Sequence, residues 1–180
     1  MKATGIVRRI DELGRVVIPK EIRRTQRIRQ GDPLEIFTTG EGEVIFKKYS
    51  PIGELSDFAE QYATVLSRSL SISAFVCDRD NIIAAGGTGR REVLDKRVSI
   101  PLEKTMEARK TYAHNGHAAE CIFPCEACTR HVLLATPILA AGDVIGAVGL
   151  LSDEKTAAPA EEQIKAVEIA AAFLAKQMEE

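Results

Sequence analysis

The first 50 residues, here called the head, hold elements that are too small to enclose a hydrophobic core within one chain. Their patterning predicts four short strands, at 5–10, 15–18, 34–37 and 44–47, and one short helix at 20–26. Domains near this size are marginal unless a metal, disulfides or a partner chain stabilise them. We therefore predict that the head is an obligate dimer whose strands interleave.

Charge is distributed unevenly between the head and the body, residues 51–180. The head carries eleven basic and seven acidic residues, a net charge of +4, whereas the body carries thirteen basic and nineteen acidic residues, a net charge of −6. Eight basic residues surround the predicted first hairpin and helix: Arg8, Arg9, Arg15, Lys20, Arg23, Arg24, Arg27 and Arg29. Because guanidinium groups bind phosphate and guanine in a bidentate manner, this pattern predicts that the head binds a polyanion such as double-stranded DNA. The alternative is that these residues only solvate a small domain.

The apolar runs of the chain indicate the compartment in which it works. The longest, at 132–141 and 144–151, are too short to span a bilayer, and the charged N-terminal segment lacks the apolar core of a signal peptide. We expect a cytoplasmic protein with no membrane partner. In that reducing compartment, the four cysteines are expected to serve metal or redox chemistry rather than a structural disulfide.

Two predicted amphipathic helices bracket the body, at 51–70 and 159–178, and each has an apolar face that can pack on the other or on a second copy. The first begins at Ser50 and Pro51, residues typical of a helix N-terminus, and is predicted to link the two domains. Between them lie five predicted strands, at 73–77, 82–85, 110–113, 132–138 and 144–151, and two short helices, near 91–95 and 102–109. The last strand is apolar on both sides, which predicts a sheet that is covered on both faces.

A cluster of metal-ligand residue types lies at 121–131, which reads CIFPCEACTRH. The candidate ligands are Cys121, Cys125, Cys128 and His131, with His114 or His117 as alternatives to the last. Three thiolates and an imidazole suit a tetrahedral zinc site, and we predict zinc. The spacing also suits three corners of an iron–sulfur cluster or a reversible disulfide pair that senses redox state. A loop whose thiols have no function is the remaining alternative.

The head carries a nearly continuous motif at residues 4–24, which read TGIVRRIDELGRVVIPKEIRR. Through this motif the head resembles the AbrB family of transition-state regulators, and the similarity extends over 2–50. The resemblance implies a swapped-hairpin barrel formed by two chains, which reads DNA through its shape and flexibility. The family's DNA-contacting arginines correspond to Arg8, Arg15, Arg23 and Arg24, and we add Arg9 and Lys20 from the same basic cluster. Gly14 is expected to adopt a positive φ in a turn, and Pro19 to start the helix.

Three further motifs lie outside the head: YSPI at 49–52, GDVIGAV at 142–148 and FLAKQM at 173–178. Through them the layout of the whole chain resembles sporulation regulators of the AbrB family, in which a helix joins the head to a C-terminal GAF domain. The resemblance implies a homotetramer, made of two homodimers that are joined through the helices flanking the GAF domains. It also implies control of sporulation or transition-state genes, with a GAF domain that senses a small ligand, a metal or redox state. No residue identifies the GAF ligand.

These observations predict an α+β protein with three parts. They are an AbrB-type DNA-binding and dimerisation domain at 1–50, a linker helix at 51–70, and a GAF-like sensor and oligomerisation domain at 71–180, with an antiparallel sheet flanked by helices.

Two other classes of protein compete with a DNA-binding regulator. A GAF-type thiol enzyme, similar to free methionine sulfoxide reductases, requires a thiolate near an open pocket with a resolving partner. The sequence has no Ser/His/Asp or paired-carboxylate arrangement and no phosphate-binding glycine loop, so we expect no enzyme. An antitoxin-like DNA binder shares the swapped barrel, but antitoxin tails are usually disordered, whereas this body is strongly patterned.

Overall fold

The computed structural model describes residues 5–152, 154 and 157–178, and the chain divides into two compact units, Met1–Tyr49 and Ser50–Glu180. Residues 1–4, on which the prediction about a signal peptide depends, lie outside the described residues. The helices are α1 (Lys20–Thr25), α2 (Pro51–Glu54), α3 (Ser56–Leu70), α4 (Arg90–Val93), α5 (Ile100–Glu107) and α6 (Glu161–Gln177). The strands are β1 (Leu34–Thr38), β2 (Val44–Lys48), β3 (Ser73–Asp78), β4 (Ile82–Gly86), β5 (Tyr112–Ala113), β6 (His131–Ala140) and β7 (Asp143–Ser152). Within the described ranges, none of these helices has both the length and the apolar character that a bilayer span requires.

The first unit contains one hairpin and one short helix. β1 and β2 pair in antiparallel fashion, with Ile36 opposite Phe46. Helix α1 follows Pro19, whose φ of −56° suits the start of a helix. Lys48, at the end of the hairpin, donates a hydrogen bond to the carbonyl oxygen of Arg27 at 3.1 Å. The predicted hairpin strands and the predicted short helix are therefore present, within one residue at their ends.

The predicted strands at 5–10 and 15–18 do not form in the single chain. The two segments flank a turn in which Asp11 accepts a hydrogen bond from the backbone N–H of Arg15 at 2.8 Å. Gly14 has a φ of +76° in this turn, as predicted. A strand needs a neighbour for its backbone N–H and C=O groups, and the β1–β2 sheet of the described chain includes neither segment. For one chain alone, the prediction of these two strands is wrong.

The segment predicted as one linker helix forms two helices, α2 and α3, and both belong to the second unit. Ser50 caps α2 and donates a hydrogen bond from its hydroxyl to the Asp78 carboxylate at 2.9 Å. The inner face of α3 is buried at Ala59, Ala63 and Leu66. Because this apolar face packs on the sheet, the segment is a structural layer of the body.

The body is built on one five-stranded antiparallel sheet with the strand order β4-β3-β7-β6-β5. Alternate side chains of β3 enter two different cores. Ala74 and Val76 pack with α3 and α6 on one face, whereas Phe75 and Cys77 pack with α4, α5 and the buried part of the 121–131 loop on the other. The sheet is therefore covered on both faces, as the apolar last strand predicts.

Candidate functional site

The residues predicted to bind DNA are all exposed on the first unit. They are Arg8, Arg9, Arg15, Lys20, Arg23 and Arg24. The first three flank the 11–14 turn, and the other three lie on α1. The Nε of Arg23 donates a hydrogen bond to the carbonyl oxygen of Ile18 at 3.2 Å, which ties the helix to the segment before it.

Asp11 orients one of these basic side chains. Its carboxylate accepts hydrogen bonds from the backbone N–H and the Nε of Arg15, each at 2.8 Å, and from the backbone N–H of Leu13 at 3.0 Å. The backbone and side-chain hydrogen bonds from Arg15 lower the pKa of Asp11 below its ordinary value. The carboxylate therefore stays charged at neutral pH and holds the Arg15 guanidinium next to the turn.

The first unit also exposes many large apolar side chains. They include Ile6, Val7, Ile10, Leu13, Val16, Val17, Ile36, Phe37, Val44 and Phe46. Val7 is 86% exposed and Val17 is 71% exposed. Among the described residues of this unit, Pro19 alone is buried. Apolar surface of this extent on so small a unit is typical of a protein interface.

The structure divides the four predicted metal ligands into two groups. Cys125 and Cys128 are joined by a disulfide and are both buried in the core against α4 and α5. Their Cα atoms are 5.4 Å apart, within the range that a disulfide spans. The disulfide goes against the expectation that the cysteines form no structural disulfide, and it agrees with the alternative of a disulfide pair in this loop, because the tight turn brings two cysteines together.

The other two predicted ligands, Cys121 and His131, lie with His114. One potential ligand atom from each lies within 4.8 Å of the other two. We call these three residues the histidine–cysteine cluster. His117 is exposed and is not part of it.

The histidine–cysteine cluster lies where β5 joins β6. His114 directly follows β5, and its backbone N–H donates a hydrogen bond to the carbonyl oxygen of Leu133 at 2.9 Å. His131 is the first residue of β6, and the two imidazole rings meet edge to face with their centroids 4.8 Å apart. Both histidines are almost fully buried, at 2% and 1% exposure, whereas Cys121 is partly exposed.

Tyr112 connects the cluster to the surrounding backbone. Its hydroxyl lies 3.3 Å from Nδ1 of His114 and donates a hydrogen bond to the carbonyl oxygen of Glu120 at 3.4 Å. Burial, and secondarily the nearby Cys121, raise the pKa of Tyr112, so the hydroxyl remains protonated at neutral pH.

The C-terminal end of the 121–131 loop is held by Glu92 of α4, a residue that sequence analysis misses. Its carboxylate accepts hydrogen bonds from the backbone N–H and hydroxyl of Thr129, and from the backbone N–H and guanidinium of Arg130 at 3.0 and 3.1 Å. Burial raises the pKa of Glu92, but these hydrogen bonds and the charge of Arg130 outweigh it and leave the pKa below its ordinary value. No local pattern reveals a contact between residues 37 positions apart.

We expect Glu92→Ala to destabilise the body by about 1–3 kcal/mol, because it leaves the N–H groups of the loop without their acceptor. A carboxyl group whose pKa is lowered by folding stabilises the protein above its ordinary pKa of 4.5, and this contribution is lost as the pH falls through the folded-state value. The free energy of unfolding, measured with urea, should therefore be lower for the variant than for the wild-type protein at neutral pH, and the two values should converge in strong acid. The control is Glu126→Ala, at an exposed position of the same loop. Equal stability of both variants at neutral pH would contradict the role of Glu92.

Comparison with known proteins matches both parts of the chain. Residues 54–179 match the family model described as stage V sporulation protein T C-terminal, transcription factor, and residues 7–53 match that of antidote-toxin recognition MazE, bacterial antitoxin. Stage V sporulation protein T of Bacillus subtilis (strain 168) is 52% identical over 180 residues, which cover 100% of both chains. The transition state regulatory protein AbrB of the same strain is 56% identical over 63 residues, which are 32% of this chain and 65% of that protein.

A solved structure gives the fold of the body. The cofactor-binding GAF domain of the nutrient sensor CodY from Clostridium difficile matches with a TM-score of 0.50 at 17% identity, over 66% of this chain and 83% of that one. The body therefore has the GAF fold.

These matches define a transcription factor that combines an AbrB-like head with a GAF-fold body. The chain belongs to the stage V sporulation protein T family. The predictions of an α+β fold and of a sporulation transcription regulator with a GAF domain are confirmed.

Proposed function

We propose that this regulator acts as a dimer that binds double-stranded DNA through its head and is assembled further through its GAF-fold body. The observation that carries the proposal is that the small first unit combines exposed basic residues with an exposed apolar surface. The apolar surface serves dimerisation, and the basic residues serve DNA binding. The sequence and the family membership support the cytoplasm as its compartment.

A swapped-hairpin barrel explains why two strand-like segments of the head form no strand in a single chain. The segments at 5–10 and 15–18 have strand-like sequences but no strand in the described chain. In the proposed dimer they pair with strands of the second copy, and their apolar side chains form a shared core. Burial of apolar surface contributes about 25 cal/mol per Å², so side chains as exposed as Val7 and Val17 provide a strong driving force.

The proposed DNA contacts are made by the six exposed basic residues of the head, twice in each dimer. Such contacts bind mainly phosphate groups, and sequence preference then depends on the shape and flexibility of the duplex. Phosphate contacts release counterions, so affinity falls as the salt concentration rises.

The helices of the body supply a second surface for assembly. Phe58 and Val65 of α3 and Ile169 and Phe173 of α6 are exposed large apolar residues. The ring of Tyr62 on α3 stacks on that of Phe173 with their centroids 5.4 Å apart, so the two helices share one outer surface. We propose that this surface joins two dimers into a tetramer.

We propose that the body has no catalytic activity. A thiol enzyme needs a reactive thiolate that its substrate can reach and a resolving partner. Cys125 and Cys128 are buried and joined to each other, so the partly exposed Cys121 has neither of them as a free resolving thiol. Turnover of free methionine sulfoxide in the presence of a dithiol reductant would contradict this assignment.

The antitoxin match of residues 7–53 favours a second candidate, in which the head serves toxin–antitoxin regulation. The family match of the body to a transcription factor over residues 54–179 favours the regulator. Co-purification of a toxin with the tagged full-length chain would favour the antitoxin.

Fluorescence anisotropy of the full-length protein with labelled duplex DNA tests the proposed function. We expect saturable binding whose affinity falls by about 10³-fold or more between 50 and 200 mM salt, because a dimer makes many phosphate contacts. An equal affinity at both salt concentrations, or no binding at low salt, would overturn the proposal.

A further inference from the structure

We propose that the histidine–cysteine cluster, His114, Cys121 and His131, binds one zinc ion in the GAF-fold body. This goes beyond the proposed function, since DNA binding by the head does not depend on it. The set also differs from the four ligands that the sequence predicts, because the structure replaces Cys125 and Cys128 with His114.

The spacing of the ligand atoms is close to what zinc requires. Zinc binds imidazole nitrogen at about 2.0–2.1 Å and thiolate sulfur at about 2.3 Å in a tetrahedral arrangement, which places ligand atoms roughly 3.5 Å apart. Sγ of Cys121 lies 3.8 Å from Nε2 of His114, and the three residues each offer one ligand atom within 4.8 Å of the other two. Small side-chain rotations therefore suffice to bring the three atoms around one ion.

The chemistry of the three side chains selects a borderline-soft transition metal. Two imidazoles and one thiolate are typical zinc ligands, whereas calcium and magnesium require oxygen ligands. Cys121 is partly exposed and the two histidines are buried, so the site opens to solvent on the cysteine side. Three protein ligands leave one coordination position, which a water molecule or an external ligand can occupy.

Tyr112 sets the tautomer that metal binding needs. Because its hydroxyl donates its hydrogen bond to the carbonyl oxygen of Glu120, the hydroxyl oxygen is available to accept a hydrogen bond from Nδ1–H of His114. The lone pair of this imidazole then lies on Nε2, the atom that faces Sγ of Cys121. Metal-ligating histidines generally have such a partner on their other nitrogen.

The backbone holds the three ligands from neighbouring strands and from the loop. The N–H of His114 is hydrogen-bonded to the carbonyl oxygen of Leu133 in β6, at 2.9 Å. Next to Cys121, the carbonyl oxygen of Ile122 accepts a hydrogen bond from the N–H of Val132, at 2.8 Å. Each ligand is thus adjacent to a paired backbone segment, which reduces the cost of ordering the site.

Cobalt and zinc binding to the full-length protein tests this assignment. After removal of metals by a chelator, titration with Co²⁺ is expected to give one ion per chain, with a thiolate-to-cobalt charge-transfer band and tetrahedral d–d bands. Zn²⁺ should displace the cobalt and thereby remove the charge-transfer band and the d–d bands. Absence of the charge-transfer band in the wild-type protein overturns the proposal, whatever the variants do.

Matched variants identify the ligands. Cys121→Ser should remove the charge-transfer band, and His114→Gln should weaken Zn²⁺ binding by about 100-fold or more. Tyr112→Phe should weaken it by roughly 10-fold through loss of the supporting hydrogen bond. The controls are His117→Gln and the double variant Cys125→Ser/Cys128→Ser, which should bind Zn²⁺ as the wild-type protein does.

Loss of cobalt binding in the double variant, with an unchanged circular dichroism spectrum, would assign the metal to the cysteine loop and overturn the proposed set. A Cys121→Ser variant that keeps the charge-transfer band would overturn it as well. DNA binding measured on the same samples separates this proposal from the proposed function, because either activity can be lost without the other.

Discussion

Val17→Asp is expected to dissociate the head dimer and abolish DNA binding while the body remains folded. In the single chain Val17 is 71% exposed, so a monomeric head would tolerate this change within about 0.5 kcal/mol. In a dimer whose shared core contains Val17, the aspartate buries an uncompensated charge, at a cost of roughly 3–5 kcal/mol for each copy. The two models of the head therefore predict opposite results.

Sedimentation velocity and DNA anisotropy on the full-length protein distinguish these outcomes. The wild-type chain should sediment as a tetramer, and Val17→Asp as a dimer that is held together by the helices of the body. Gln30→Asp is the control, because it introduces the same charge at another exposed position of the head. A Val17→Asp protein that sediments as the wild type and still binds DNA would disprove the interleaved barrel.

The strands and helices of the body are largely predictable because continuous apolar runs mark the buried strands and apolar residues at helical spacing mark α3 and α6. The apolar run at 144–151 becomes β7, Asp143–Ser152, and the two-sided apolarity of this strand correctly indicates two covered faces. The same patterning fails for 5–10 and 15–18 in the single chain. These residues are strand-like, but a strand forms only where a second strand is available, and sequence patterning does not say which chain supplies it.

The candidate site is only partly predictable, because its geometry depends on contacts between distant residues. The 121–131 motif contains Cys121 and His131, which the structure brings together, but spacing alone does not show that Cys125 and Cys128 bond to each other. His114 joins the cluster because β5 pairs with β6. Glu92 reaches the loop from α4, and neither of these contacts leaves a local signal in the sequence.

Replacement of Arg23 and Arg24 by alanine is expected to lower DNA affinity by about 10³-fold and to weaken its salt dependence. Both side chains are exposed in the last turn of α1, and a dimer presents four of them to the duplex. Each phosphate contact contributes roughly 0.9 to the slope of log K against log salt concentration. If all four make such contacts, the slope should become shallower by about 3.6.

The slope of log K against log salt concentration distinguishes direct contacts between arginine and phosphate from long-range attraction between the protein and DNA. The control is Arg91→Ala/Arg109→Ala, which removes the same charge from two exposed positions of the body. A change in net charge alone alters the long-range attraction, which is screened within about 10 Å at 0.1 M salt, and leaves the slope nearly unchanged. If the body variant reduced the slope as much as the head variant, bulk charge rather than contacts by the head would explain DNA binding. A reduction confined to the head variant, with its dimer intact by sedimentation, requires that these two arginines lie against the phosphates.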